Sequence, residues 1–517
     1  MNATSTDWLA DLRLRTESPS VAAPEPAPEE IDFLPEEPTK PVAAPTPARP
    51  RFALGLVLGL AIMAVGCAAW SGLRAAPSPE VKVVEKTVEK LVIGNDLVVC
   101  TRGTGQFTTI KEALAKASAG SRVVLKPGTY REQVVLDKDV ALVGGGTRDE
   151  VILEGGTGHV VVVEAKRASM ENLTVRAVGA GSGNKIHALF VPAAKAGGVS
   201  VAGCALSSDT LAAACVEGAE SAVSFTRCRL HGSAGGGLLV RKDARPHLSG
   251  CDLEENTEAG VIVESGHPTL DRCGASKNKG VGLLSKGGEG AFTGCTFADN
   301  TGAAVHVKAG GRPALTRCEL KGGTAGLVAE GGVPALHGCT LTGHKFNAVV
   351  LIAGADVLLS GCTIKGNGGH GVWALGGHAR LVGCTVHGRD KIAAVAVEVA
   401  GAVSLTGCTL PGGCDFGVRV MGGRAALEGC TLEGHRRDQV SAEGGADVSL
   451  VGCTLADGDE NGVYAISGAK VSLTGCTVRG HKRTQLVATS KATLTATPCS
   501  TLELASPSGN HVSRQRQ

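Results

Sequence analysis

Asp457-Gly458-Asp459-Glu460-Asn461-Gly462 reproduces the first half of a calcium loop, with oxygen donors at alternate positions around a tight turn. The twelfth position is Gly468, so the bidentate glutamate is missing; a turn is expected first and a calcium site second. Seven basic residues, Lys345, Arg389, Lys391, Arg436, Arg437, Lys482 and Arg483, fall beside one recurring turn and could hold an anionic polymer along that edge. Solvated turn charges are the simpler expectation. Asn256, Asn278, Asn300, His344, Asn367, His435 and His481 each stand five residues after a cysteine. Asparagine tolerates turn conformations and bonds its own backbone, so this series is a turn ladder. Its histidines do not occupy neighbouring units, which argues against a shared metal site.

The cysteines set the frame for all of these groups. Fourteen of them, from Cys204 to Cys499, follow one another at intervals of 21 to 24 residues. Around them recurs one phrase, as in Val403-Ser404-Leu405-Thr406-Gly407-Cys408-Thr409-Leu410. A repeat of that length means stacked units that cannot bury their faces alone. Between Cys362 and Cys384 the chain alternates in and out over three short runs separated by glycine-rich turns, and no amphipathic helix fits. The leucine-rich pattern is absent. The expected fold is all-β, a right-handed parallel β-helix with coils of about 22–23 residues. On that reading the cysteines point into a continuous core as small hydrophobes. Metal ligation and disulfides both fit less well, because the row has no Cys-x-x-Cys pair and stacked side chains point the same way.

Residues 1–51 form a tail expected to be disordered: the first 50 residues hold 10 of the 21 prolines and nine acidic residues against four basic ones. Residues 52–73 follow, 22 residues without a charge, and read as a single uncleaved transmembrane helix. Gly55 and Gly59 within it form a GxxxG, a self-association motif in some membrane helices. Residues 74–97 read as a stalk. Arg49 and Arg51 lie close before the span, while Arg74, Lys82, Lys86 and Lys90 follow it, so charge leaves orientation open. An extracytoplasmic repeat domain with a cytoplasmic tail is favoured, since long domains translocate regardless of charge. The net charge of +2 gives no field that would call for a nucleic-acid partner.

Thr104-Gly105-Gln106-Phe107-Thr108-Thr109-Ile110-Lys111-Glu112-Ala113-Leu114 gives a short amphipathic helix, followed by Arg122-Val123-Val124-Leu125-Lys126-Pro127-Gly128-Thr129-Tyr130-Arg131-Glu132 and a strand ending at Gly144-Gly145-Gly146. This opening resembles the amino-terminal cap of the pectin lyase-like superfamily, especially pectin methylesterases and the non-enzymatic carbohydrate-binding and sugar hydrolysis β-helices. The resemblance implies a cap over 98–157, repeats over 158–505 and a C-terminal tail at 506–517. It also supplies two catalytic candidates. Gly369-His370-Gly371 is similar to a polygalacturonase element, but the in-phase positions one and two coils earlier are Ala348 and Ala325, where aspartates would be needed. Cys408-Thr409-Leu410-Pro411-Gly412-Gly413-Cys414-Asp415-Phe416 resembles the setting of the methylesterase nucleophile, but its partner would fall near Ala393 or Ala394. A lone member of a catalytic group is weak evidence.

In such enzymes the outward positions of the second strand line the substrate cleft. Here they include Leu239, Ile262, His306, Val328, Val350, Trp373, Ala396, Arg419, Ser441, Tyr464 and Val487. Val328, Val350, Ile352, Trp373 and Leu375 are expected to form an exposed apolar strip that docks a partner or a second copy. The sequence therefore predicts a membrane-anchored, non-catalytic β-helix facing a polysaccharide or a protein partner, without cofactors unless calcium binds. Its alternative is a divergent lyase, esterase or hydrolase. An ice-binding solenoid, suggested by the threonine after eight of the cysteines, lacks the paired threonine ranks.

Overall fold

The computed structural model describes residues 96–179, 183–192 and 197–500, together with the backbone of Leu504–Ala505 and His511–Arg514. The expected tail 1–51, the span 52–73 and nearly all of the stalk lie outside the described residues. Among those described, no helix is long and apolar enough to cross a membrane.

Each coil contributes one strand to each of three parallel sheets of 19, 17 and 16 strands. In one coil these are Thr363–Lys365, Val372–Leu375 and His378–Val382. Each pairs in register with its counterpart a coil later: Ile364 opposite Val386, Trp373 opposite Ala396, Leu381 opposite Leu405. The sheets that hold these strands are called below the second, third and first. Strands one coil apart lie about 4.8 Å apart, so like residues stack on like.

Thirteen of the fourteen periodic cysteines are buried and the last, Cys499, is half-buried. All cysteines among the described residues are free thiols. Cys362 Sγ donates to Leu336 O at 3.4 Å and Ser360 O at 3.5 Å, so even the thiol proton finds backbone. The residue before the cysteine turns left-handed, with φ of 60° at Gly361 and 59° at Gly407. That conformation explains the Gly-Cys of the repeat phrase. Arg227, Arg272 and Arg317 adopt it as well and carry the strain of a side chain there.

Residues 98–157 are built of coils too. Arg122–Leu125 and Ala141–Gly144 join the first sheet, Gly128–Tyr130 and Val151–Gly155 the second, Val134–Leu136 the third. The helix is Ile110–Lys116, with Ile110 and Ala113 in the core. Thr109 caps it, and the Glu132 carboxylate accepts from Ile110 N at 2.9 Å and Lys111 N at 3.1 Å. Two boundaries differ from expectation. The first strand, Asp96–Val99, begins inside the expected stalk, where Asp96 pairs with Arg122 at 3.0 Å. The expected C-terminal tail contributes His511–Arg514, which pairs with Thr493–Thr497.

The corner between the second and third sheets carries the asparagines. Asn256 Nδ2 donates to Leu230 O, Asn278 Nδ2 to Leu253 O and Asn300 Nδ2 to Ala275 O, at 3.0–3.1 Å. Each Oδ1 accepts the backbone N–H of the corner residue one coil earlier, at 3.0 Å. All three side chains are buried and fully bonded.

Candidate functional site

The outer face of the third sheet carries two parallel rows. One runs through Leu239, Ile262, Leu284, His306, Val328, Val350, Trp373, Ala396, Arg419, Ser441 and Tyr464. The strip expected to be exposed belongs to it, and the structure corrects that expectation. Val328 is 2% exposed, Val350 6% and Trp373 7%; only Ile352 and Leu375, in the next row, are half-buried. The strip residues are nevertheless not part of the contiguous core. Register stacks each of these side chains between the coils above and below, and the corner three residues earlier leans against it. Ile262 packs in this way on Ala259 and Leu284, and the Trp373 ring lies 6.4 Å from the His370 ring. The Trp373 indole N–H has no acceptor among the described residues.

The second row is charged, and the sequence reading missed it because each coil supplies only one member. It runs from Glu217 and Arg241 through Glu264, Lys286, Lys308 and Glu330, then through the apolar Ile352 and Leu375, Glu398 and Met421, to Glu443. Glu217, almost fully buried, is held by Arg241 and by Lys242 Nζ at 2.6 Å. Lys286 pairs with Glu264 at 3.6 Å, Lys308 with Glu330 at 3.9 Å and Arg419 with Glu443 at 2.6 Å.

His370 sits at the corner beside Trp373. Its backbone N–H donates to Asn347 Oδ1 at 2.7 Å, and its Nδ1 lies 3.1 Å from Ala393 O. Burial lowers its pKa to about 4, so the ring is neutral near pH 7. No carboxylate contacts it among the described residues. Asp415 lies on a turn two coils on, its backbone bonded to Ile392 and Arg437. The two catalytic candidates do not meet.

The basic turn residues are largely neutralised. Arg436 pairs with Asp390 at 2.9 Å, Lys482 with Asp459 at 2.7 Å, and Arg437 and Arg483 flank Glu460 at 3.7 and 3.8 Å. Lys345 lies over the Phe346 ring, and Arg389 donates to Gly368 O. Lys391 takes a left-handed turn conformation. The calcium loop does not converge either. Asp457 faces Arg479 at 3.6 Å, Asp459 faces Lys482, and Asn461 Nδ2 donates to Asp438 Oδ1 at 2.8 Å. Ion pairing with the next coil has taken the oxygens that the loop would need.

The sequence reading also missed Asp438, which no motif marks. It is 5% exposed, and desolvation raises its pKa to about 6 despite the bond from Asn461. On the same corner, His435 Nε2 faces Leu410 O at 3.1 Å and so carries the proton, leaving Nδ1 to accept from the Cys414 thiol at 3.2 Å. Both groups are buried and neutral, the imidazole with its pKa lowered to about 4 and the thiol with its own raised.

Together, the three stacked sheets and a long outer face without a metal cluster among the described residues define a parallel β-helix of the solenoid class. The family model described as right handed beta helix region matches residues 158–341 and 327–501, well over half of the chain, and the chain belongs to that family. Its fold is the right-handed parallel β-helix. Solved structures similar to it include the pectin methylesterase from Aspergillus niger, at 19% identity over 43% of this chain and 83% of that one, TM-score 0.33. A PL6 family alginate lyase is 10% identical over 77% and 85%, TM-score 0.35. The mannuronan C-5 epimerase A-module from Azotobacter vinelandii is 14% identical over 71% and 92%, TM-score 0.31. These likenesses concern the fold alone. No curated protein matches the sequence.

Proposed function

We propose that this chain is a non-catalytic β-helix scaffold, anchored in a membrane by residues 52–73 and presenting its coils outside the cytoplasm to a polysaccharide or a protein partner. One observation carries the reading. On the face where such a fold could work on a polymer, Glu217, Glu264, Glu330 and Glu443 are each tied to a basic side chain, Glu398 stands between Leu375 and Met421 with no second carboxylate beside it in the row, and His370 is a neutral corner residue bonded to backbone. Glycoside hydrolysis needs two carboxyl groups flanking one bond, in different protonation states. Asp438 has a carboxyl group shifted towards neutrality by burial, as Asp252 does many coils away, and this is what favours the second reading, a divergent carbohydrate-active enzyme.

The test uses the full chain, purified in a detergent that contains no sugar, with pectic, alginate and peptidoglycan substrates. Reducing ends, unsaturated products and released methanol should all stay at background. Turnover that disappears in Asp438→Asn or His370→Ala would overturn the scaffold reading in favour of the enzyme.

A further inference from the structure

The first coils depart from the rest of the corner. Three residues after the in-register Tyr130, Leu153 and Val175 stand Gln133, Gly156 and Val178, one place beyond Gly155 and Ala177, the small residues that pair in register with Ser208. Beside Gly156 a cavity of about 300 Å³ opens, lined by Arg131, Glu132, Gln133, Glu154, Val160 and Val178 among others. Backbone sets this notch. A Cβ on Gly156 would lie 2.5 Å from Val178 O, and one on Gly158 would lie 2.9 Å from Gln133 Nε2.

The notch has a polar rim and an apolar side. Arg131 and Glu154 pair across it at 3.2 Å, while Val178 is 51% exposed, unusual for a large apolar side chain in this molecule. A second feature lies in the same coils, outside the cavity's lining. The rings of His159, His187 and Phe190 stack at centroid distances of 4.5–6.1 Å, outside the contiguous core. His187 N donates to His159 Nδ1 at 2.9 Å, and His187 Nδ1 bonds Ala212 O at 2.8 Å, so both imidazoles are fixed in place. Burial lowers the pKa of each, which leaves the aromatic stack uncharged near pH 7.

The walls are therefore close to neutral overall. Arg131 and Glu154 offset one another, and Glu132 is committed to the helix N–H groups. Planar charged and amide groups at a rim suit adjacent hydroxyls, and the aliphatic surface of Val160 and Val178 suits the C–H face of a ring. We propose that this N-terminal corner is a subsite for an uncharged pyranose unit of a polysaccharide. The proposal rests on the scaffold reading and names where, and for which sugar chemistry, the scaffold binds.

The full chain in sugar-free detergent would be titrated with uncharged cello-, xylo- and malto-oligosaccharides and with oligouronates, followed by ligand-observed NMR and calorimetry. Arg131→Ala with Glu154→Ala, a pair of rim substitutions that leaves the notch glycines intact, should weaken binding of an uncharged oligosaccharide at least tenfold with an unchanged melting point. Trp373→Ser, many coils away, should bind as the wild type does. Equal affinity in the rim variant overturns the subsite, as does preference for oligouronates. If Trp373→Ser alone abolishes sugar binding, the subsite fails and the scaffold reading stands. If no saccharide binds, the subsite fails, and the scaffold reading survives only if a protein partner is found.

Discussion

Two stretches of one corner solve the same problem with different residues. At Asn256, Asn278 and Asn300 every amide is used, the nitrogen on a strand carbonyl and the oxygen on the N–H a coil earlier. Further on the corner reads Cys414, His435, Gly458 and His481. His435 Nε2 takes the role of an asparagine nitrogen, donating to Leu410 O, but its other nitrogen is spent on a thiol. At Gly458 the slot has no side chain, and the Gln439 amide reaches Ala456 O at 2.8 Å in its place. Gln439 Oε1 and His481 Nε2 then have no partner among the described residues. Asparagine repeats because its amide matches the coil spacing on both sides; histidine matches one side only. The His stretch should be the weaker and the more pH-sensitive of the two.

The sharpest test of this contrast is Asn278→Ala. It strips partners from Leu253 O and from the backbone and side-chain nitrogens of Asn256, all in a buried corner. At about 1–3 kcal/mol per buried group left unpaired, the loss should be about 4 kcal/mol. Denaturant unfolding measures it. A loss under about 1 kcal/mol would mean that the asparagine row is decoration on a corner held by its backbone.

A smaller effect is expected from protons. His435 has a pKa lowered to about 4 by burial, against 6.5 in the free side chain. The unfolded chain therefore binds more protons than the folded one between those values, and stability falls as pH drops from about 6.5 to 4. The full difference is about 3 kcal/mol. His187 and His370 act with the same sign. Asp438 acts with the opposite sign, because its raised pKa makes the folded state the better proton binder between 3.8 and about 6. Comparing His435→Asn with wild type isolates one contribution: the variant should lose stability less steeply between pH 7 and 4. Parallel curves would place the proton-linked strain elsewhere.

The coil, its length and the cysteine positions were legible because a periodic signal is repeated more than a dozen times and errors average out. The corner asparagines were legible for the same reason. The outer face was not. Which side chains point outward followed correctly from alternation, but Val350 and Trp373 are nearly buried, because exposure depends on neighbours from three coils at once. Asp438 and Glu217 were invisible, since their environments come from residues more than 20 positions away. The surroundings of the Asp457–Gly462 turn were hidden at the same level. Its spacing is right, but Arg479 and Lys482, one coil on, hold its carboxylates.

The smallest predicted effect is a gain. His481 donates from Nδ1 to Gln485 Oε1 at 2.7 Å, which fixes the proton there and leaves Nε2 a buried acceptor without a donor. An asparagine at this position would repeat the geometry of Asn256, Asn278 and Asn300, with its nitrogen towards Leu455 O, the carbonyl one coil earlier that corresponds to Leu230, Leu253 and Ala275. His481→Asn removes one unpaired acceptor, leaves another on the buried Gln485, and adds a bond to Leu455 O, so the net change is that added bond. The balance should favour the variant by about 1 kcal/mol. It should also remove the proton-linked loss that His481 contributes as pH falls below the ordinary imidazole value of 6.5, so the gain should be larger at pH 5 than at pH 7. Melting curves at pH 7 and pH 5 read both parts. A variant less stable than wild type at both values would show that the corner near the C-terminal end has a different shape from the one that asparagine fills, and that histidine is there for fit rather than by default.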